Sequence, residues 1–483
     1  MVMLVSRWLL AAALLLSISA VDAAAPGDEI DFFPDFIEMP GGMRERASAV
    51  AVQADGRILL AGAIEVGDRT QVAIARMLPD GTPDPGFGTG GQRQVTFGTE
   101  TDSAAGWIGE LPDGRILVLG TVYDPAGFSV SLLVMRLLPS GEFDNSFSVD
   151  GRARYGTDVG AYCGLAISGS ALGSSCDAQV LPDGSVMIAG GSAPPASLAK
   201  RLAFGGGVLL YKLRPDTTPD PAFGDDGHLY LRTLPGAPVD GPRLVAFRAG
   251  LAVRDDGRIL VATGIETSSS GAFGIALLQL RANGTPDAGF GSGGGTSVTP
   301  DAGDAFLPFD VHVARNGEIT VGATASLNGL PAFAVARFRS NGTPDPGFGS
   351  NGLAAATLEP GDEFEASPMA TGLHVDSTGH VYVTGSTGTS TIDGQDNVDF
   401  ALAAFTPQGL ADTRVGPGGL RAYGFDISAG GGPFYVLREY ALSLASDAQG
   451  RLVVAGGAIG PDPYDALLVR RILTRDMFRD GLE

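Results

Sequence analysis

Residues 78–91 read LPDGTPDPGFGTGG, and nearly the same words return as RANGTPDAGFGSGG at 281–294 and RSNGTPDPGFGSNG at 339–352. A loop spelled so closely three times is a repeat signature, and repeats have to be read before any domain boundary is drawn. The turn position of this loop falls at Gly81, Gly141, Thr217, Gly284, Gly342 and Gly409. Three residues later stands Asp each time: Asp84, Asp144, Asp220, Asp287, Asp345 and Asp412. Six residues after the turn comes Phe87, Phe147, Phe223, Phe290 and Phe348, then Val415 in the sixth copy. The Asp is expected to tie down the turn by accepting backbone N–H bonds. The Phe is expected to plug the gap between neighbouring units. One carboxylate per loop is a poor calcium cage, which needs six or more oxygens, so the series is read as architectural.

A second signal precedes each loop: ADGRILLAG at 54–62, PDGRILVLG at 112–120 and DDGRILVAT at 255–263, with weaker copies elsewhere. Its turn glycines are Gly56, Gly114, Gly184, Gly257, Gly317, Gly379 and Gly450, at intervals of 58, 70, 73, 60, 62 and 71 residues. DG and NG supply the positive φ angles of tight hairpins. Short runs such as SAVAVQ, RILLAG, QVAIARM and QRQVTF are rich in Val, Ile and Leu and bounded by turn residues, so they read as strands. Four antiparallel strands per unit, repeated, predict an all-β propeller. Seven copies predict seven blades in one domain over residues 32–473. Phe36–Met39 stands where a fourth strand belongs, and the seventh copy ends after its third strand. Pairing the two is expected to close the ring and leave no exposed edge. Residues 474–483 then form a tail.

The whole pattern resembles the delta-60 repeat of large exported bacterial proteins. The resemblance covers nearly all of 32–473, strongly in repeats one, four and five and weakly in six and seven. It implies a β-propeller and an exported setting, and it carries no catalytic residue to any position here.

Composition narrows the function. The net charge of −22 and only two lysines exclude nucleic acid as an expected partner, since phosphate binding needs clustered cations. Residues 1–24 have Arg7, an apolar run from Trp8 to Ile18 and small residues at the end, the pattern of a secretory signal peptide. No later run is long enough to span a bilayer. The mature chain is therefore expected to be secreted, periplasmic or held at the cell surface. Cys163 and Cys176 fit that setting as a disulfide, a closure worth ~3 kcal/mol in the chain-entropy account.

In an up-and-down blade the first and third connections share one face, and the second and fourth share the other. The length changes gather on the second face, as in residues 192–206, 386–399 and 426–440. Variable loops on a rigid frame are where binding resides. The expected function is thus a non-catalytic binding or surface-interaction module for a protein or glycan. The alternatives are a hydrolase or lactonase with a metal at the mouth of the central channel, and a structural envelope or matrix component.

Three groups near that face are candidates. His312 and His374 occupy equivalent positions on adjacent first strands, where imidazoles could share a metal. Asp393, Asp396 and Asp399 are spaced like a Ca²⁺ loop, though without the EF-hand pattern. Trp107 and the aromatics of 431–440 could stack on a sugar or peptide. No nucleophile elbow, zinc helix or phosphate loop occurs, so no catalytic residue and no cofactor beyond calcium is expected.

Overall fold

A computed structural model describes residues 29–32, 44–98, 101–124, 129–156, 161–163, 176–192, 207–238, 241–266, 273–299, 301, 304–358, 369–392, 395–423, 438–459 and 466–472. These residues form a β-propeller of six sheets. Four of them are plain antiparallel meanders, such as Arg44–Val52, Ile58–Val66, Arg69–Met77 and Gln92–Val95 in repeat one. The second and third strands are buried along almost their whole length, because each sheet is covered on both faces. That is why they read as continuous apolar runs rather than as alternating ones.

The expectation of seven blades is corrected to six. Strands of repeats six and seven share one eight-stranded sheet. The reason lies in an overlong hairpin: Val381–Ile392 and Gln395–Phe405 run 12 and 11 residues, against nine in the hairpins of repeats one, two and five. The overhang carries Val398 past the short fourth strand Leu420–Tyr423 and into a parallel pair with Arg438 of repeat seven. The closing strand is corrected as well. Phe36–Met39 lies outside the described residues, and it is Glu29–Phe32 that pairs with Arg470–Ile472 at the edge of the eight-stranded sheet. Among the described residues no hydrogen-bonded ladder runs on from that sheet to the first one. The two meet through packed side chains, with Val453 and Ala455 set among Ala47, Val50, Ile58 and Leu60.

Repeat three departs in another way. Its inner strand is split into Ala161–Tyr162 and Asp177–Val180, which both pair with Val186–Ser192. A disulfide joins Cys163 to Cys176, so the bond staples the two half-strands across the insertion between them. Cys163 N also donates to Thr121 Oγ1 of the preceding sheet at 2.8 Å.

Connection lengths separate the two faces sharply. The first-to-second turn is five residues in all seven repeats, from 53–57 to 447–451. The third-to-fourth loop is fourteen residues in all six that have it, from 78–91 to 406–419. On the opposite face the second-to-third connection ranges from two residues (67–68) to fifteen (193–207). The fourth-to-first connection ranges from six (96–101) to fourteen (424–437), and is longer still where the disulfide segment is inserted.

Candidate functional site

The constant face is held by one device used repeatedly. Asp84 accepts from Gly86 N at 2.9 Å and from Arg76 Nε at 2.8 Å. Asp144 does the same with Ser146 N at 3.0 Å and Arg136 Nε at 2.7 Å. Asp220 takes Ala222 N and the Lys212 ammonium, and Asp287 takes Gly289 N and Gln279. Asp345 accepts from Gly347 N, and Asp412 from Arg414 N. Burial pushes the Asp144 carboxyl up, but hydrogen bonds from Ser146 and Arg115 and the Arg136 charge outweigh it and hold the group far below the usual range.

Phe87, Phe223, Phe290 and Phe348 are completely buried and Phe147 nearly so. Each of these four lies against the turn glycine of the following repeat; a Cβ on Gly141 would sit 2.9 Å from the Phe87 ring, and one on Gly342 only 2.7 Å from that of Phe290. Arginines of the third strands cap three of the rings, with the Arg76, Arg136 and Arg337 guanidinium carbons 4.8, 5.2 and 4.4 Å from the ring centres of Phe87, Phe147 and Phe348. Gly88, Gly224, Gly291 and Gly349 then donate from their backbone N–H to the next repeat's turn, at Ser140, Asn283, Asn341 and Gln408 respectively.

Facing the axis, the first strands of successive repeats touch one another. Six of them carry a register shift at one place, between Ala47 and Ala49, Ala105 and Trp107, Val245 and Gly250, Pro308 and Asp310, Ala370 and Gly372, and Ala441 and Ser443. A bulge there re-aims the residue that follows it. In two of the six that residue is polar, Asp310 and Ser443, and Asp177 holds the matching place in repeat three, whose inner strand pairs without a shift; all three reach the neighbouring strand. Asp177 Oδ2 accepts from Leu251 N at 2.9 Å, Ser443 Oγ accepts from Val50 N at 3.1 Å, and Asp310 accepts from the backbone of Leu373.

Asp177, Arg248 and Asp310 together form an axial polar cluster. Burial pushes the Asp177 carboxyl up to about 6, and burial together with the Asp177 charge pushes Asp310 up to about 8. Burial pulls Arg248 down to about 10 against the attraction of both acids. Two carboxyls raised above their ordinary range thus lie beside a guanidinium, an arrangement suited to gripping a polar group. All three keep partly accessible surfaces. The sequence held a sign of this: Arg248 is the one charged residue of the apolar strand Leu244–Val253.

His312 and His374 stand one step further along adjacent first strands, within Ala305–Val313 and Met369–Val375. Burial lowers the His312 pKa, and the charges of His374 and Arg337 lower it further. The His374 ring packs 6.2 Å from that of Tyr382. Among the described residues no group of three or more His, Cys, Asp or Glu is placed to hold a metal ion. Asp399 is buried in the third strand of repeat six, opposite Thr387. Asp393 and the Asp396 side chain lie outside the described residues, as does 431–437. Trp107 belongs to the inner strand Asp102–Glu110 and folds over Gly109, where a Cβ would be 2.3 Å from its ring.

The repeat and the sheets define a β-propeller. Residues 53–87, 111–147, 254–290 and 314–348 match the family described as "Domain of unknown function (DUF5122) beta-propeller". Each match begins near a five-residue turn and ends on the buried Phe. No curated protein sequence matches the chain. Among solved structures, a protein of unknown function from Dyadobacter fermentans is 12% identical, with 93% of this chain and 100% of that one covered and a TM-score of 0.44. The polysaccharide lyase Uly1 gives the same four values. The GH93 α-L-arabinofuranosidase of Fusarium graminearum is 13% identical over 77% of this chain and 92% of its own, with a TM-score of 0.40. Likenesses this distant say nothing of activity. Among the described residues no helix is long and apolar enough to cross a membrane.

Proposed function

We propose that the protein is an exported binding module that captures a glycan or protein partner on the face carrying its variable connections. The observation that carries this reading is the contrast in length between faces: five and fourteen residues without exception on one, and two to fifteen or more on the other. A face whose loops keep one length and are tied by the same aspartate-to-backbone bonds has little freedom to acquire a ligand-specific shape. The opposite face has that freedom, on a frame that does not move with it. The axial cluster of Asp177, Arg248 and Asp310 adds a charged floor between the first strands. The signal-peptide pattern of residues 1–24 and the Cys163–Cys176 disulfide support an oxidising, extracytoplasmic setting.

The test exchanges the fifteen-residue connection 193–207 for Asn-Gly, the two-residue connection that repeat five uses at Asn328–Gly329. Wild type and variant are screened against one glycan array and one set of purified envelope proteins. The reading expects an unchanged melting temperature with loss of the wild-type ligand. Retention of that ligand after each long connection is shortened in turn would overturn it. So would turnover of an ester or glycan that Asp310→Asn abolishes, which would assign the axis to an enzyme.

A further inference from the structure

A second site lies on the outer flank, away from the axis and between the first two sheets. Here Arg93, Phe143, Arg152, Phe97 and Arg154 alternate as a stack of guanidinium and phenyl groups. Successive guanidinium-carbon-to-ring-centre distances are 4.3, 5.1, 5.3 and 5.6 Å. The stack is fixed by backbone carbonyls of the neighbouring sheet: Arg152 Nη1 donates to Thr96 O at 3.0 Å and Arg154 Nη2 to Phe97 O at 2.8 Å. Beside it opens a cleft of about 420 Å³, lined by Thr96, Phe97, Gly98, Asp150, Arg152 and Arg154.

Charge is distributed unevenly along the stack. Arg93 pairs with Glu142 at 3.0 Å, and Arg152 pairs with Asp150. Arg154 is exposed and, among the described residues, makes no ion pair. In a chain of net charge −22, this is a cation held in place on a pre-ordered wall with no anion to meet it. A guanidinium carries five donors in a planar fork that fits a carboxylate, and one hydrogen bond to Phe97 O leaves most of them for a ligand. The cleft volume is in the range of small-ligand sites. A peptide adding as a further strand would need free backbone acceptors at this edge, and Thr96 O and Phe97 O are already taken.

We propose that this cleft binds the carboxylate of an acidic sugar, with Arg154 as its anchor and Arg152 and Phe97 as the wall that orients it. The site is independent of the variable-face reading. The exchange at 193–207 leaves it untouched, so either idea can fail alone.

The experiment titrates the full chain calorimetrically with tri-galacturonate, with neutral galactotriose and with a Glu-rich tripeptide, at low and physiological salt. Expected is one-to-one binding of tri-galacturonate, weakened at least tenfold by Arg154→Ala and only in part restored by Arg154→Lys, which keeps the charge and loses the fork. Melting curves confirm that the variants fold; Arg154 is exposed, so no loss is expected. The proposal is overturned if wild type ignores tri-galacturonate, if Arg154→Ala binds it unchanged, or if the neutral sugar or the peptide binds as well as the acidic one.

Discussion

Loops one and six have the same length and the same aspartate, yet they are filled differently. In loop one Phe87 occupies the slot, and Arg76 both pairs with Asp84 and covers the ring. In loop six the third strand offers Ala404 in place of that arginine, and the loop offers Val415 in place of the phenylalanine. The missing volume is supplied from another strand. Tyr382 is wholly buried beside Val415 and Ala404, where other repeats carry Leu59, Leu117, Met187, Leu260, Thr320 or Val453. The missing cation is supplied by Arg414, which pairs with Asp412, with His380 at 4.0 Å on the other side. The pair teaches which parts of the device are fixed. The fourteen-residue span and the aspartate-to-backbone bond stay; the apolar filler and the countercharge can be moved elsewhere.

That distinction can be broken most severely by emptying a slot that has no second filler. Phe290→Ala should cost about 3–5 kcal/mol, read as a lower denaturant midpoint, because the ring is fully buried against the Gly342 turn. Val415→Ala should cost less than half as much. If the two cost the same, the division of labour between Phe290 and the Val415–Tyr382 pair is wrong.

Removing the aspartate comes next. Asp144→Ala strands Arg136, whose side chain is only 4% exposed, and should cost about 3 kcal/mol. Asp287→Ala should cost about 1 kcal/mol, since its neighbours are the neutral Gln279 and an Arg258 that is 43% exposed. A reversed order would show that the Asx turn rather than the ion pair dominates.

A double substitution sharpens the comparison further. Val415→Phe alone should overpack the sixth slot by about 1–3 kcal/mol. Combined with Tyr382→Leu, it rebuilds the loop-one filling, and the joint cost should fall below the sum of the two by at least about 0.5 kcal/mol. Strict additivity would mean the two residues do not share the space.

A last comparison separates the constant face from the axis by pH. Carboxyls held below their ordinary range, such as Asp84, Asp144 and Asp220, contribute stability at neutral pH that is lost as pH falls below about 4. Asp177 and Asp310 act in the opposite sense. Their folded pKa values exceed the ordinary 3.8, so the folded state holds the extra proton and stability falls as pH rises through roughly 4 to 8, by at most about 1.4 kcal/mol per pH unit per proton. Asp310→Asn should flatten that limb in melting temperatures taken between pH 5 and 8. An unaltered limb would remove Asp310 from the account.

Much of this was legible in the chain itself. The alternation of DG turns and Asp–Phe loops marks the strands, the four-stranded units and the face on which length is free, because turn chemistry and burial are local and repeat in register. The count of blades was not legible. Whether repeats six and seven separate depends on how far the hairpin ending at Ile392 overruns, and a run such as VYVTGSTGTSTI looks strand-like with or without a partner for Val398. The axial cluster was hidden for a related reason. A bulge shifts the face on which Asp310 and Ser443 appear, the disulfide segment splits the strand ahead of Asp177, and period-two reading misplaces every side chain beyond such an interruption. The flank stack is not legible in the chain because its arginines and phenylalanines come from two different sheets.

The backbone bonds from Gly88, Gly224, Gly291 and Gly349 to the following turns run around the circumference rather than along any strand. They act as ties between neighbours: a sheet that tilts must drag the next, so angular strain is shared from repeat three through repeat six. A partner tugging on one long connection would therefore meet the stiffness of several sheets at once.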